Sequence, residues 1–403
     1  NGEIKKAKGV LPIVREATRR GIHRVIVPRE NALEAAVIPG VTVWGVGNLG
    51  ELFTALVHPG EDEEKIYRPR VCPEDLLKCS GGDRRGDFRE VAGQESARRG
   101  ALIAAAGFHN LLMMGPPGVG KSMIAGRIPG ILPPLTLEES LEVTSIYSVA
   151  GLLPPEQALI TERPFYAPHQ NVTLAALIGG GAAVPRPGMV SLAHRGVLFL
   201  DELPQFQRVV LDSMRQPLEE RRVQIARSAG LITYPSDFML VAAMNPCPCG
   251  YLGDPQRECT CTDGEIRRYG QKISGPLLDR IDLHVSVMRP KYSELTATIQ
   301  GEPSCDIAKR VAEARAVQAE RLSRWHMQSN AQMGHRQLKE TCQLDAEGTE
   351  MLRVVFEKLH LSARSYDRII KVARTIADLA GSDQIRPEHV AEAISFRNMI
   401  NGK

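Results

Sequence analysis

The stretch Gly115-Pro-Pro-Gly-Val-Gly-Lys121-Ser122 follows directly on the apolar run Leu111-Leu-Met-Met114. It fills every fixed position of the G-x-x-x-x-G-K-[ST] phosphate loop, in the strand, loop, helix order that such a loop requires. Glycines let consecutive backbone N–H groups turn inward around phosphate oxygens, with a helix N-terminus behind them. The cradle takes in Gly115, Pro116, Pro117, Gly118, Val119, Gly120, Lys121, Ser122 and Met123. Lys121 is placed to reach the β- and γ-phosphates, and Ser122 to offer its hydroxyl to Mg²⁺. The chain is expected to bind a nucleoside triphosphate.

Two further apolar runs, Val197-Leu-Phe-Leu200 and Phe238-Met-Leu-Val-Ala-Ala243, read with Leu111–Met114 as buried parallel strands. Each ends at a polar residue suited to chemistry: the phosphate loop, then Asp201-Glu202, then Asn245. Open α/β sheets bind ligands at the carboxyl ends of their strands, so the three tips fit one site. Asp201 would hold Mg²⁺ through its water shell, and Glu202 would polarise the attacking water. Asn245 reads either as the group that orients that water or as a turn-initiating Asn before Pro246.

Residues 1–58 read as a small α/β unit. A helix from Val10 to Gly21 leads to a strand at Arg24–Val27, and a helix from Glu30 to Val37 to a strand at Val41–Gly45. Residues 59–87 are polar and broken by Pro59-Gly60, Pro69 and Gly81-Gly82, the composition of a linker. Residues 88–290 hold the strands and their motifs. From 291 to 403 the pattern is helical: Ile369, Val372, Ala373, Ile376 and Leu379 keep helical spacing, and Pro387 suits a first helical position.

Other clusters have two readings on spacing alone. Arg280, among carboxylates in Ser274–Asp282, is either a local ion pair or an arginine finger for a neighbouring subunit's γ-phosphate. Arg364 opens a helix and is placed to touch phosphates within its own chain. Cys247-Pro-Cys249 and Cys259-Thr-Cys261 form two C-x-C pairs that suit tetrahedral Zn²⁺, or are simply four reduced cysteines or a disulfide pair. Cys72, Cys79, Cys305 and Cys342 are isolated. Val223–Ala226 and Leu231–Tyr234 read as arms of a β-hairpin whose tip carries Arg227, either a phosphate-backbone contact or a solvated charge.

The chain has 403 residues, 43% hydrophobic and 24% charged, and a net charge of +3, so bulk electrostatics neither demands nor excludes nucleic acid. No apolar run approaches a membrane span, which argues against a membrane partner. Eight cysteines, half of them in one short segment, suggest a reducing, cytoplasmic setting with metal rather than disulfides. A start at Asn1 rather than Met reads as a trimmed or partly covered protein.

Together these segments resemble AAA+ ATPases of the helix-2-insert type, most closely the magnesium-chelatase-like ComM/YifB family. The matching text includes Asp87–Gln94, the phosphate loop, Arg163–Phe165, Gly179–Gly181, Ser191–His194, Gly196–Pro204, Ala243–Pro246, Ser274–Asp282 and Ser362–Tyr366. The resemblance implies an α/β P-loop fold with a parallel sheet, a C-terminal α-helical lid, and ATP with Mg²⁺. It implies that Lys121 and Ser122 are Walker A, Asp201 and Glu202 Walker B, Asn245 sensor 1, Arg280 the arginine finger and Arg364 sensor 2. The hairpin around Arg227 would be the presensor-1 hairpin. Such proteins are expected to form hexameric rings that drive branch migration of single-stranded or branched DNA during recombination. A chelatase-type motor acting on a protein partner, and a nucleotide-gated scaffold, are the other readings. The family often has Arg and His where this chain has Tyr166 and Gln170. Residues 1–58 resemble the last part of a Lon-protease-like domain, with Leu11 where a Lon protease has its catalytic Lys; leucine cannot activate a nucleophile.

Overall fold

Short apolar runs bounded by glycine, proline or acidic residues supply the strands, numbered here in chain order. The computed structural model describes residues 2–57, 66–78, 86–181, 185–227, 230–290, 292–295, 301–358 and 362–397. β1 (Arg24–Pro28) and β2 (Thr42–Val46) pair in parallel. β3 (Leu111–Met114) and β4 (Phe165–Tyr166) belong to a larger sheet, whereas β5 (Gly179–Gly180) and β6 (Arg186–Pro187) make a short antiparallel hairpin. β7 (Val197–Leu200) returns to the sheet, and β8 (Arg222–Arg227) with β9 (Gly230–Pro235) forms a longer hairpin. β10 (Met239–Met244) and β11 (Leu283–Ser286) complete five parallel strands in the order β11-β3-β10-β7-β4.

The central strands β3, β7 and β10 are apolar throughout because both faces are covered. Leu111, Met113, Val197, Phe199, Val241 and Ala243 join one core, and Leu112, Leu198, Leu200, Leu240 and Ala242 join the other. This is the period-2 alternation of a pleated strand. Two strands of this sheet lie outside the three apolar runs read from the sequence, for physical reasons. β4 has only two residues, and β11 carries His284 in its second position.

The C-terminal region is helical, as expected, with its longest helices at Ser304–Leu322 and Ala363–Leu379. Ile369, Val372, Ala373 and Ile376 face inward, and Pro387 opens the last helix, Pro387–Ser395. Their core is continuous with the sheet's own: Ile307, Val311 and Ile369 cluster with Ala101 and Met113. Near the N-terminus, helix Val10–Arg19 buries Leu11 against Leu141 and Leu159. Leu141 lies on helix Leu137–Ala150, opened by a capping box of Thr136 and Glu139. The segment expected to be a broken linker contains a helix, Pro73–Lys78; residues 58–65 and 79–85 lie outside the described residues. Among the described residues no helix is long and apolar enough to cross a membrane.

The two hairpins are tied together. Tyr234 Oη donates to the Pro185 carbonyl at 2.7 Å, and a Cβ on Gly179 (φ +115°) would lie 2.8 Å from Ile225 Cδ1. Gly179 is therefore glycine both for its backbone angle and for the close approach. At the base of the longer hairpin, Asp237 accepts from Arg195 and from Gln332 of the helical region, each at 3.1 Å, and pairs with Arg221 at 3.4 Å.

Arg195 also donates to Glu142 at 3.1 Å. Glu142 sits at about 2, drawn down first by its hydrogen bond with His194 and then by Arg195, against its partial burial. A carboxylate whose folded value lies below its unfolded value of about 4.3 stabilises fully above that pH, and loses the contribution as pH falls toward 2. Replacing Glu142 by Gln is expected to flatten the loss of stability between about pH 4.3 and 2, relative to the parent, in denaturant titrations across that window.

Candidate active site

The phosphate loop leaves the carboxyl end of β3 and enters helix Lys121–Ile131. Gly118 and Gly120 hold φ of +77° and +92°, angles glycine reaches without strain. Gly115 answers a different need. Its N–H donates to the Met244 carbonyl at 3.2 Å, and a Cβ there would collide with the carbonyl oxygen of Val287. Lys121 is buried, and its Nζ donates to the Gly115 and Pro116 carbonyls at 2.7 and 2.8 Å and to Asn245 Oδ1 at 3.0 Å. Burial pushes its pKa below the usual lysine value, while Asp201 and Glu202 pull it back up.

β7 and β10 deliver the other groups. Ser122 Oγ donates to Asp201 Oδ2 at 2.7 Å, and Asp201 Oδ1 accepts the Glu202 N–H at 2.9 Å. Glu202 adopts the left-handed region (φ +51°) at a sharp turn after the strand and is exposed. Asn245, half-buried, follows β10 directly. Six groups that the sequence scattered over 130 residues thus meet at one end of one sheet: the loop, Lys121, Ser122, Asp201, Glu202 and Asn245. Met123, next in the helix, is 46% exposed beside them.

The two arginines sit elsewhere. Asn110, just before β3, donates from Nδ2 to the Arg280 carbonyl at 2.9 Å and accepts the Asp282 N–H at 3.0 Å. β3 and β11 run parallel, so Arg280 lies at the amino end of the sheet, one strand length (about 13 Å) from the loop. Its guanidinium is bound by Glu219 and by the Pro276 carbonyl. Burial lowers its pKa first, Glu219 opposing, and Arg364 and Arg368 lower it further. Arg364, exposed in the first turn of Ala363–Leu379, is thus a neighbour of Arg280. Arg368 donates to the fully buried carboxylate of Asp282 at 2.6 Å. In this chain Arg364 lies beside Arg280 at the amino end of the sheet rather than beside the phosphate loop.

The cysteine pairs close into one cluster. The sulfurs of Cys247, Cys249, Cys259 and Cys261 all lie within 4.8 Å of one another, with Cys247–Cys249, Cys249–Cys259 and Cys247–Cys259 at 3.3, 3.6 and 3.7 Å. N–H groups of Tyr251 and Thr260 pull the Cys249 thiol down to about 5. Cys72 and Cys305 are exposed and Cys342 is buried, while Cys79 lies outside the described residues. Arg227 closes β8 opposite Gly230, but its side chain lies outside the described residues, as do Ser228 and Ala229.

Three residues missed in the sequence support these groups, Gly250 and Tyr269 beside the phosphate loop and Glu219 at the amino end. Glu219 gives Arg280 its partner, Gly250 packs on Pro117, and Tyr269 meets the Asn245 backbone. Only Tyr269 left a sequence signal, at the end of a helix announced by the Thr262/Glu265 capping box. Gly115→Ala is expected to force β3 from β11 and displace the loop, at about 1–3 kcal/mol of stability. Thermal denaturation and titration with a fluorescent ATP analogue, which should bind at least about tenfold more weakly, check this.

The family described as "Magnesium chelatase, subunit ChlI" matches residues 87–295, and "Magnesium chelatase, subunit ChlI C-terminal" matches 301–397. The uncharacterized protein YifB of Escherichia coli is 39% identical over 398 residues, 98% of this chain and 75% of the relative. The competence protein ComM of Haemophilus influenzae is 38% identical over 404 residues, 99% of this chain and 76% of the relative. Lon protease 2 of Bacillus subtilis is 30% identical over 149 residues, 34% of this chain and 26% of the relative. With the five-stranded sheet, the phosphate loop and the helical C-terminal region in place, the chain belongs to the magnesium-chelatase-like AAA+ proteins of the ComM/YifB family.

Proposed function

We propose that the chain is a ring-forming, Mg²⁺-dependent ATPase motor that acts on DNA, with each active site shared between two copies. The observation that carries this reading is the separation of the chemistry. Lys121, Ser122, Asp201, Glu202 and Asn245 gather at the carboxyl end of the sheet, while Arg280 and Arg364 gather at the amino end. A copy that presents its arginines to the next copy's phosphate loop completes both sites, and repetition of that head-to-tail contact closes a ring, here a hexamer.

The roles follow from the contacts. The loop N–H groups and the Lys121 ammonium hold the phosphates of ATP. Ser122 and Asp201, 2.7 Å apart, suit a hydroxyl ligand backed by a carboxylate, and there Mg²⁺ would neutralise phosphate charge. Glu202 takes the proton of the attacking water, and Asn245 orients that water from the far side of Lys121. Arg280 and Arg364 of the neighbour stabilise charge on the transferred phosphoryl group.

The hairpin β8–β9 supports the DNA reading, with Arg227 at its tip as the phosphate-backbone contact to single-stranded or branched DNA. So does the likeness to a competence protein. Residues 1–58 are the end of a Lon-like domain without peptidase chemistry, since Leu11 is buried and apolar. A tetrahedron of thiolates around zinc, with Zn–S near 2.3 Å, spaces its sulfurs about 3.8 Å apart, and the cysteine cluster fits that spacing. The setting is a reducing cytoplasm. A second reading, a motor that remodels a protein partner, is favoured by the match to the chelatase subunit over 87–295.

Lys121→Ala is expected to abolish nucleotide binding, and Glu202→Gln to keep binding while lowering turnover at least about a hundredfold. Arg280→Ala should bind ATP normally and turn it over slowly. Mixing it with Lys121→Ala chains should restore turnover, because intact loops then meet intact arginines; mixtures no faster than their parts overturn the shared site. ATP turnover with single-stranded and branched DNA decides between the two motors. Stimulation, weakened in Arg227→Ala with basal turnover kept, supports the DNA reading, and no stimulation supports the protein client.

A further inference from the structure

The loop that carries the four cysteines has almost no core of its own. Between Pro246 and Thr262 only Cys247 and Gly250 are buried. A segment this short and exposed keeps one shape only if something cross-links it. Local contacts contribute at its rim: Arg257 and Arg289 stack on Tyr251 at 4.1 and 5.7 Å, and Arg289 pairs with Asp254 at 2.9 Å. The sulfur cluster lies at its centre.

This loop touches the nucleotide site at three places. Cys247 comes two residues after Asn245, whose Oδ1 accepts from Lys121. Gly250, at φ +87°, lies face-on to the phosphate loop, so that a Cβ there would be 2.8 Å from Pro117 Cδ and 3.8 Å from Asn245 Cγ. The helix Asp263–Gly270, which begins two residues after Cys261, carries Tyr269, which lines one cavity with Asn245. Asn245 is thus tied to the cysteine loop by its own chain continuation and faced by Tyr269, Pro117 lies against Gly250, and all of these contacts hang from the cysteine cluster.

We infer that zinc bound by Cys247, Cys249, Cys259 and Cys261 is a positioning element of the nucleotide site, so that occupancy of the thiolate site sets the affinity and turnover of ATP. The inference rests on the zinc reading above and adds a mechanical role to it. Zinc stands outside the hydrolysis itself. It fixes the loop, the loop fixes Pro117 and Asn245, and those residues set the seat of the phosphates and the orientation of the water. Tyr269 is a positioning residue in the same chain of contacts.

The test uses the full chain, purified in reductant, with zinc content read by atomic emission and affinity by titration with a fluorescent ATP analogue at fixed Mg²⁺. One zinc per chain is expected. Its extraction by a zinc-selective chelator should weaken nucleotide binding by about tenfold to a hundredfold, and equimolar zinc should restore it. Gly250→Ala separates the two layers, because it leaves every cysteine in place. That variant should keep its zinc and still bind the analogue about tenfold more weakly, whereas Cys305→Ser, on an exposed thiol outside the cluster, should match the parent. Extraction without loss of affinity, or a zinc-loaded Gly250→Ala chain with parental affinity, overturns the positioning role and leaves zinc binding standing. A chain without stoichiometric zinc, with the four thiols free or paired as disulfides by mass spectrometry, overturns the zinc reading itself.

Discussion

Parallel strands have a polarity that no local adjustment can reverse, and this constraint organises the molecule. Every strand of the five-stranded sheet points its carboxyl end the same way, so residues that follow strands gather on one edge and residues that precede them gather on the other. Lys121, Asp201 and Asn245 follow β3, β7 and β10, whereas Arg280 precedes β11. Lys121 and Arg280 are therefore split by the fold, with one strand length between them.

The carboxyl edge is also crowded. Gly115 lies against the Val287 carbonyl, Gly250 lies against Pro117, and the Lys121 ammonium is enclosed by two carbonyls and an amide. Burial of that ammonium is costly unless its hydrogen-bonding capacity is met, and three acceptors meet it. The result is a loop whose geometry is set before a phosphate arrives, which lowers the ordering cost of binding.

Much of this was legible in the sequence because the signals were local. The phosphate loop, the apolar strands with polar tips and the Val223–Tyr234 hairpin each carry their pattern within a dozen residues. The helical spacing of Ile369, Val372, Ala373 and Ile376 was equally plain. What stayed hidden depends on long-range placement. The position of Arg364 follows from the course of β11 and from Asp282 holding Arg368, residues more than 80 positions apart. β4 owes its existence to the neighbouring β7, for two residues contain no period. Glu219 and Gly250 gain their meaning only from what they face, and nothing in their flanking residues announces it.

The bond from Tyr234 to the Pro185 carbonyl, with Ile225 seated over Gly179, makes the two hairpins a single forked tool. A fork does not pivot about one strand axis as a lone hairpin can, so a load that bends one tine is shared by the other.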